Sequence, residues 1–204
     1  NIKIAARLAA IFFFLLILMM KTNLPGFFPN LYKMKLLALV FLPIFAFAQP
    51  KLDTVPLLSG KLSILVPDGL APMSEEMWTA KYHKTDRPMF VLSDKDGEIN
   101  FIADRTGQPA NEGQLTAFKD FQLRGLKERR PDVTILDEGL KTVNGHKVAY
   151  FKFISQAIDQ KVFNHYFFAV VDGKILFCTF NCIEKLQSRW ASVADQIMSS
   201  LRIR

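Results

Sequence analysis

The chain has 204 residues, half of them apolar, and its 26 Lys and Arg against 19 Asp and Glu give a formal charge of +7. The excess sits at one end: residues 1–48 hold Lys3, Arg7, Lys21, Lys33 and Lys35, eight of the nineteen phenylalanines and no Asp or Glu, which leaves 21 basic and 19 acidic side chains in the other 156 residues. A balance that close to neutral excludes a nucleic-acid binder held by counterion release, which needs clustered Lys and Arg set against several phosphates.

The first 48 residues contain two apolar runs around a Pro-containing stretch, TNLPGFFPNLYK. In the second run Met34 and Lys35 give a short positive start, LLALVFLPIFAF is the apolar stretch, and Ala46-Phe47-Ala48 precedes a polar shift at Gln49-Pro50. This is the pattern of a secretory signal peptide over residues 34–48, with cleavage between Ala48 and Gln49. A buried core helix is the competing reading, and Pro43 within the run argues against it. The first run, Leu8 to Met20, is thirteen residues without a charge, short of the roughly 20 that a spanning helix needs. Residues 1–33 are therefore expected to be an apolar extension upstream of a true start at Met34, or else a weak membrane anchor. Either way the rest of the chain is expected outside the cytoplasm, periplasmic or secreted, where a disulfide can persist.

The remaining 156 residues suit one domain with a substantial core. QPKLDTVPLLSG, residues 49–60, reads as a Pro-punctuated linker, and the domain proper as residues 61–204. In KLSILVP, Leu62, Ile64 and Val66 alternate with Ser63 and Leu65, which predicts a strand ended by Pro67-Asp68-Gly69. Ser74 is a cap for a short helix over EEMWTAKY, with two carboxylates in its first turn. PMFVLSD and EINFIAD flank Lys95-Asp96-Gly97, a hairpin signal because Asp and Gly tolerate positive φ. The same D-K-D-G-E fragment resembles part of a calcium loop, but the other ligands of that loop are missing, so a turn is expected and no metal site.

Asn111 opens the longest helix, about residues 112 to 129, with Leu115, Phe118, Phe121 and Leu126 assigned to its inner face. Lys119, Arg124, Lys127, Arg129 and Arg130, mixed with Asp120 and Glu128, read as a solvated outer face. From Val133 to Phe180 two more hairpin dipeptides, Asn144-Gly145 and Asp172-Gly173, predict an antiparallel meander. In KVFNHYFFAVV both alternating sets are apolar, Val162, Tyr166, Phe168 and Val170 against Phe163, Phe167, Ala169 and Val171, so the sheet needs cover on both faces. A last helix supplies one cover through Ile183, Leu186, Trp190, Val193, Ala194, Ile197 and Leu201.

Asn181-x-x-Glu184 resembles a capping box for that helix, which would put Cys182 at its first residue and Cys178 in the preceding strand. Fully extended, C-T-F-N-C would hold the two Cα atoms about 13 Å apart, beyond disulfide reach. A strand-to-helix turn between them makes a structural disulfide of Cys178 and Cys182 the expectation, with a reactive thiol pair as the alternative.

The strand ending in Val66-Pro67-Asp68-Gly69, the helix before a meander, the late Gly145 turn, and a final helix with Trp190, Ile197 and then Ser199-Ser200-Leu201-Arg202-Ile203 resemble the PsbP-like fold family, with its DcrB-like and Mog-like branches. The resemblance covers about residues 58 to 204 and points to an exported, bacterial-type member. Leu70 follows the turn where many relatives have an aromatic residue. What the resemblance implies is an α+β domain, an antiparallel sheet flanked by helices on both faces in an α/β/α sandwich. It further implies a binding or accessory role without shared catalytic residues.

The side chains themselves name no reaction. His83, His146 and His165 are scattered, none has a second donor at metal-ligand spacing, and no hydrolase, zinc-protease, phosphate-loop or dinucleotide motif occurs. The expectation is a non-catalytic exported domain acting on a protein or small ligand of the cell envelope, with no cofactor and no nucleic acid. A thiol redox protein using Cys178 and Cys182 is one alternative, and a scaffold tethered by the N-terminal apolar segments is the other.

Overall fold

A computed structural model of the protein describes residues 50–82 and 86–204. The apolar extension 1–33, the signal peptide 34–48, the cleavage point Ala48-Gln49 and His83 lie outside the described residues.

The stretch expected as a linker is largely a strand. β1 (Leu52–Leu57) pairs antiparallel with β2 (Leu62–Pro67), with Val55 opposite Ile64. Pro56 suggested a loop, but β1 lies at a sheet edge, where a missing amide donor costs no pairing. The connection is a single turn in which Leu58, Ser59 and Gly60 all take positive φ, at 51°, 55° and 83°.

After β3 (Ala71–Pro72) comes α1 (Glu75–Tyr82), capped as the sequence predicts: the Met77 amide donates to Ser74 Oγ at 3.1 Å. β4 (Phe90–Ser93) and β5 (Ile99–Pro109) form the hairpin around Gly97. A turn over Glu112–Gln114 leads into α2 (Leu115–Arg129), followed by the meander β6 (Thr134–Val143), β7 (His146–Gln156), β8 (Lys161–Val171) and β9 (Lys174–Ile183). Asn144 and Gly145, then Asp172 and Gly173, take the positive φ that two-residue hairpin turns require. α3 (Gln187–Ser199) and β10 (Arg202–Ile203) end the chain.

The strands form a seven-stranded antiparallel sheet in the order β3-β4-β5-β9-β8-β7-β6 and a small sheet in the order β1-β2-β10. β8 bears out the expectation of two apolar faces. Phe163, Phe167, Ala169 and Val171 join one core with Trp190, Val193 and Ile197 of α3 and with Leu62, Ile64 and Val66 of β2. On the opposite face Phe168 packs with Phe151, Phe153 and the α2 residues Leu115 and Leu123, while α1 sets Trp78 against Val91 and Ile102. The α/β/α sandwich is therefore present, with the small sheet sharing one outer layer with α3. No described helix is long and apolar enough to cross a membrane.

Three helix expectations need correction. Phe121 is 66% exposed, and Leu123 is buried in its place: at 100° per residue Phe121 lies about 120° around the helix from Leu115. Lys119, assigned to the solvated side, is 8% exposed and pairs with Glu138 of β6 and with Asp120. The last helix also begins later than expected. β9 continues through Cys182 to Ile183, and Asn181 makes no cap.

Candidate functional site

The two cysteines lie four residues apart on one strand, so both point to the same face of β9, under α3. The turn comes after Ile183 and not between them, and the extended spacing of about 13 Å is too long for a disulfide. Both thiols are free and buried. Burial pushes the pKa of Cys178 well above the usual thiol range and that of Cys182 up to about 12. The expected disulfide is thus corrected, and neither sulfur is exposed enough or acidic enough to act as a nucleophile.

His146 opens β7 and lies 3.2 Å from Glu112 at the start of the α2 region. His165 is the informative one. Its ring is fully buried in β8, edge-on to Tyr150 and Phe167, and neither ring nitrogen has a hydrogen-bond partner. Above it Lys152 Nζ reaches Asp195 at 2.8 Å and Asp137 at 3.5 Å, and Asp195 Oδ1 stands 3.8 Å from His165 Nδ1. Burial lowers the His165 pKa to about 4 against the pull of Asp195, so the ring is neutral at pH 7. Burial also works against the Lys152 cation, but Asp195 and Asp137 together outweigh it and raise its pKa. The cluster is a lysine held between two carboxylates over a neutral imidazole whose ring is closed off from solvent.

A second polar feature crosses the α1 and α2 face. Ser93 Oγ donates to Asn100 at 2.9 Å, Asn100 Nδ2 donates to Asn181 Oδ1 at 2.8 Å, and Asn164 Nδ2 donates to Ser155 Oγ at 3.2 Å. Asn100, Asn181 and Asn164 sit opposite one another on β5, β9 and β8. The row ties the strand register together, because a slip by one residue would turn every amide to the other face.

The surface offers more than the interior. Between α2 and the far end of β5 runs a groove of about 370 Å³, lined by Gln108, Pro109, Ala110, Ala117, Phe118 and Ile175. Phe121 follows Ala117 and Phe118 by one helical turn and extends this apolar strip into solvent. Along the other flank of α2 a groove of about 350 Å³ is lined by charges of both signs, Asp120, Arg124, Lys127, Glu128 and Glu138. Among the described residues no group of three or more His, Cys, Asp or Glu gathers as metal donors. The arrangement can therefore seat an apolar side chain beside α2. The sequence did list Phe121, but as core; only its phase relative to Leu123 could have moved it to the surface.

No family model and no curated protein matches the chain. Solved structures do match in shape. Cyanobacterial PsbP (CyanoP) from Synechocystis aligns over 78% of this chain and 96% of its own at a TM-score of 0.55 and 10% identity. LpqN, involved in cell envelope biogenesis of Mycobacterium tuberculosis, aligns over 75% of this chain and 90% of its own at 0.50 and 12% identity. The Ran-binding protein Mog1p of Saccharomyces cerevisiae aligns over 76% and 96% at 0.48 and 12% identity. For the first two the likeness is one of backbone path, and that path agrees with the element order read from the sequence: the chain has the PsbP-like fold.

Proposed function

We propose that this protein is an exported, non-catalytic binding domain that works in the cell envelope by holding an apolar segment of another protein against α2. The observation that carries the reading is Phe121, 66% exposed one helical turn beyond Ala117 and Phe118, which line the groove with Ile175. A large aromatic in water beside an apolar groove is the arrangement that a partner's side chain buries with profit in free energy. The groove is open along its length, which suits a chain segment better than an enclosed small molecule. Export is supported by the signal-peptide pattern of residues 34–48, with Gln49 as the mature start, and by the envelope role given for LpqN. A non-catalytic role is supported by where the perturbed groups lie: His165 and Cys178 are buried, and Lys152 is paired.

The tethered-scaffold reading differs only in the fate of residues 1–48. N-terminal sequencing of the exported protein separates the two, since cleavage gives Gln49 and a tether gives a start upstream of Met34. For the binding role, a photoreactive phenylalanine analogue at position 121 is expected to give one discrete cross-linked adduct in the envelope fraction. The same analogue at Ile158, 93% exposed on a loop, is the control. An adduct pattern at 121 no different from that at 158 counts against the groove as the binding face.

A further inference from the structure

The two edges of the large sheet differ. β3 at one edge is two residues long, whereas β6 at the other is ten residues and, among the described residues, paired only with β7. α2 packs mainly on β7 and β8, and α3 on β8, β9 and β2; Lys119 of α2 reaches Glu138 of β6, but the outer backbone edge of β6 has no partner strand among the described residues. Such an edge presents a row of backbone donors and acceptors, and proteins ordinarily protect it with charge or a bulge. β6 has both: Asp137, Glu138 and Lys141 are exposed, and the register with β7 slips between Ile135 and Asp137. It also leaves Leu140 45% exposed, which protection alone does not require.

The charges specify a partner. If a second β6 pairs antiparallel about a two-fold axis at Gly139, Asp137 of each copy falls opposite Lys141 of the other. Both lie on the same face, since Asp137 and Lys141 stand opposite Lys152 and Val148 of β7. On the other face Leu140 becomes the diagonal neighbour of Leu140 from the second copy, within reach of a long side chain. Gly139 at the axis carries no side chain of its own, and the Tyr150 ring of β7 lies over it. A strand with like charges at these positions would be repelled, while this chain complements itself. We propose that the protein self-associates through β6 as a two-fold homodimer, joining two seven-stranded sheets into one.

Sedimentation of the purified protein over a range of concentrations is the test. A monomer–dimer equilibrium is expected. Lys141→Glu sets two pairs of carboxylates face to face and is expected to weaken the dimer about tenfold or more, and Lys141→Asp combined with Asp137→Lys to restore it by exchanging the charges. Because Asp137 also contacts Lys152, hydrogen exchange on the unmodified protein gives a second readout that does not depend on the double variant folding. Amides of β6 are expected to gain protection as concentration rises. A monomer at every concentration, or a dimer indifferent to Lys141→Glu, overturns the proposal. So does concentration-independent protection of β6 in a monomer, which would mean that another segment of the same chain covers the edge.

Discussion

His165 shows what one buried titratable group does to the behaviour of the domain. Facing it are Lys152 and Tyr150 from β7, Asp137 and Lys141 from β6, and Asp195 from α3. Its pKa is 6.5 in an unfolded chain and about 4 in the fold, with burial as the main cause. Above pH 6.5 neither state holds the proton and the group is silent. Between 6.5 and 4 the unfolded chain takes up a proton that the native ring refuses, so stability falls as pH falls, by about 2 to 3 kcal/mol at pH 4.5. Asp172 and Asp132, whose pKa values are held down by Lys61 and Arg130 respectively, lose their contributions only at lower pH. Urea midpoints from pH 7 to 4.5 are therefore expected to decline in the native protein and to decline much less in His165→Leu; parallel declines would contradict the assignment. The sequence did place His165 on an apolar strand face between Phe163 and Phe167. It could not supply Asp195 or Lys152, which reach the ring only once α3 is laid on the sheet and β7 takes its register. The cysteines are the same case reversed: their spacing gave the right distance test, and the outcome hung on where β9 stops.

At the level of elements, the chain contains two segments with the spacing of a capping box, and only one is used. At Asn111 the side chain accepts from the Gly113 amide at 2.9 Å, while Gln114 Oε1 accepts from the Asn111 amide at 2.9 Å. At Asn181 the same pattern is overridden, because β9 is held by β5 on one side and β8 on the other as far as Ile183. Local propensity decides a helix start only where no neighbour claims the backbone. Two different costs follow. Asn111→Ala loses a solvent-exposed cap, about 1 kcal/mol. Asn181→Ala removes one of the two acceptors of the buried Asn100 amide, which keeps its bond to Gly97 O, and leaves one buried N–H without a partner at a cost of about 1–3 kcal/mol. Urea denaturation of both variants should rank Asn181→Ala as the more damaging; a reversed order would mean that the polar row is dispensable. The strands themselves were legible because three hairpin dipeptides and a doubly apolar β8 leave little choice. The phase of α2 was not, since Phe121 and Leu123 both satisfy an approximate stripe and only packing on Phe151 and Phe168 chooses between them.

At the scale of the whole molecule, the fold class followed from the order of elements, but the domain boundary did not. Pro50 and Pro56 made residues 49–60 look like a tether, whereas β1 is the outer strand of the small sheet that covers the core beside α3. β2 is the centre of that sheet: β1 pairs along its full length, and β10 brings Arg202 and Ile203 to Ser63 and Leu62. The two ends of the folded domain are thus stitched to one strand, and the Arg204 amide donates to Lys61 O at 2.9 Å. Removing residues 1–60 would strip β2 of six paired residues and take away Leu57, 5% exposed, together with the partly buried Leu52, Val55 and Leu58. A fully buried aliphatic side chain contributes about 1.5–3 kcal/mol and a partly buried one less, so several kcal/mol are at stake against a total stability of about 5–15 kcal/mol. The exposed β2 would also gain a bare, apolar edge. A chain starting at Gln49 is expected to unfold cooperatively in urea, and one starting at Lys61 to unfold at a much lower midpoint or to aggregate. Equal midpoints for the two would return β1 to the status of a linker and move the start of the domain to Lys61.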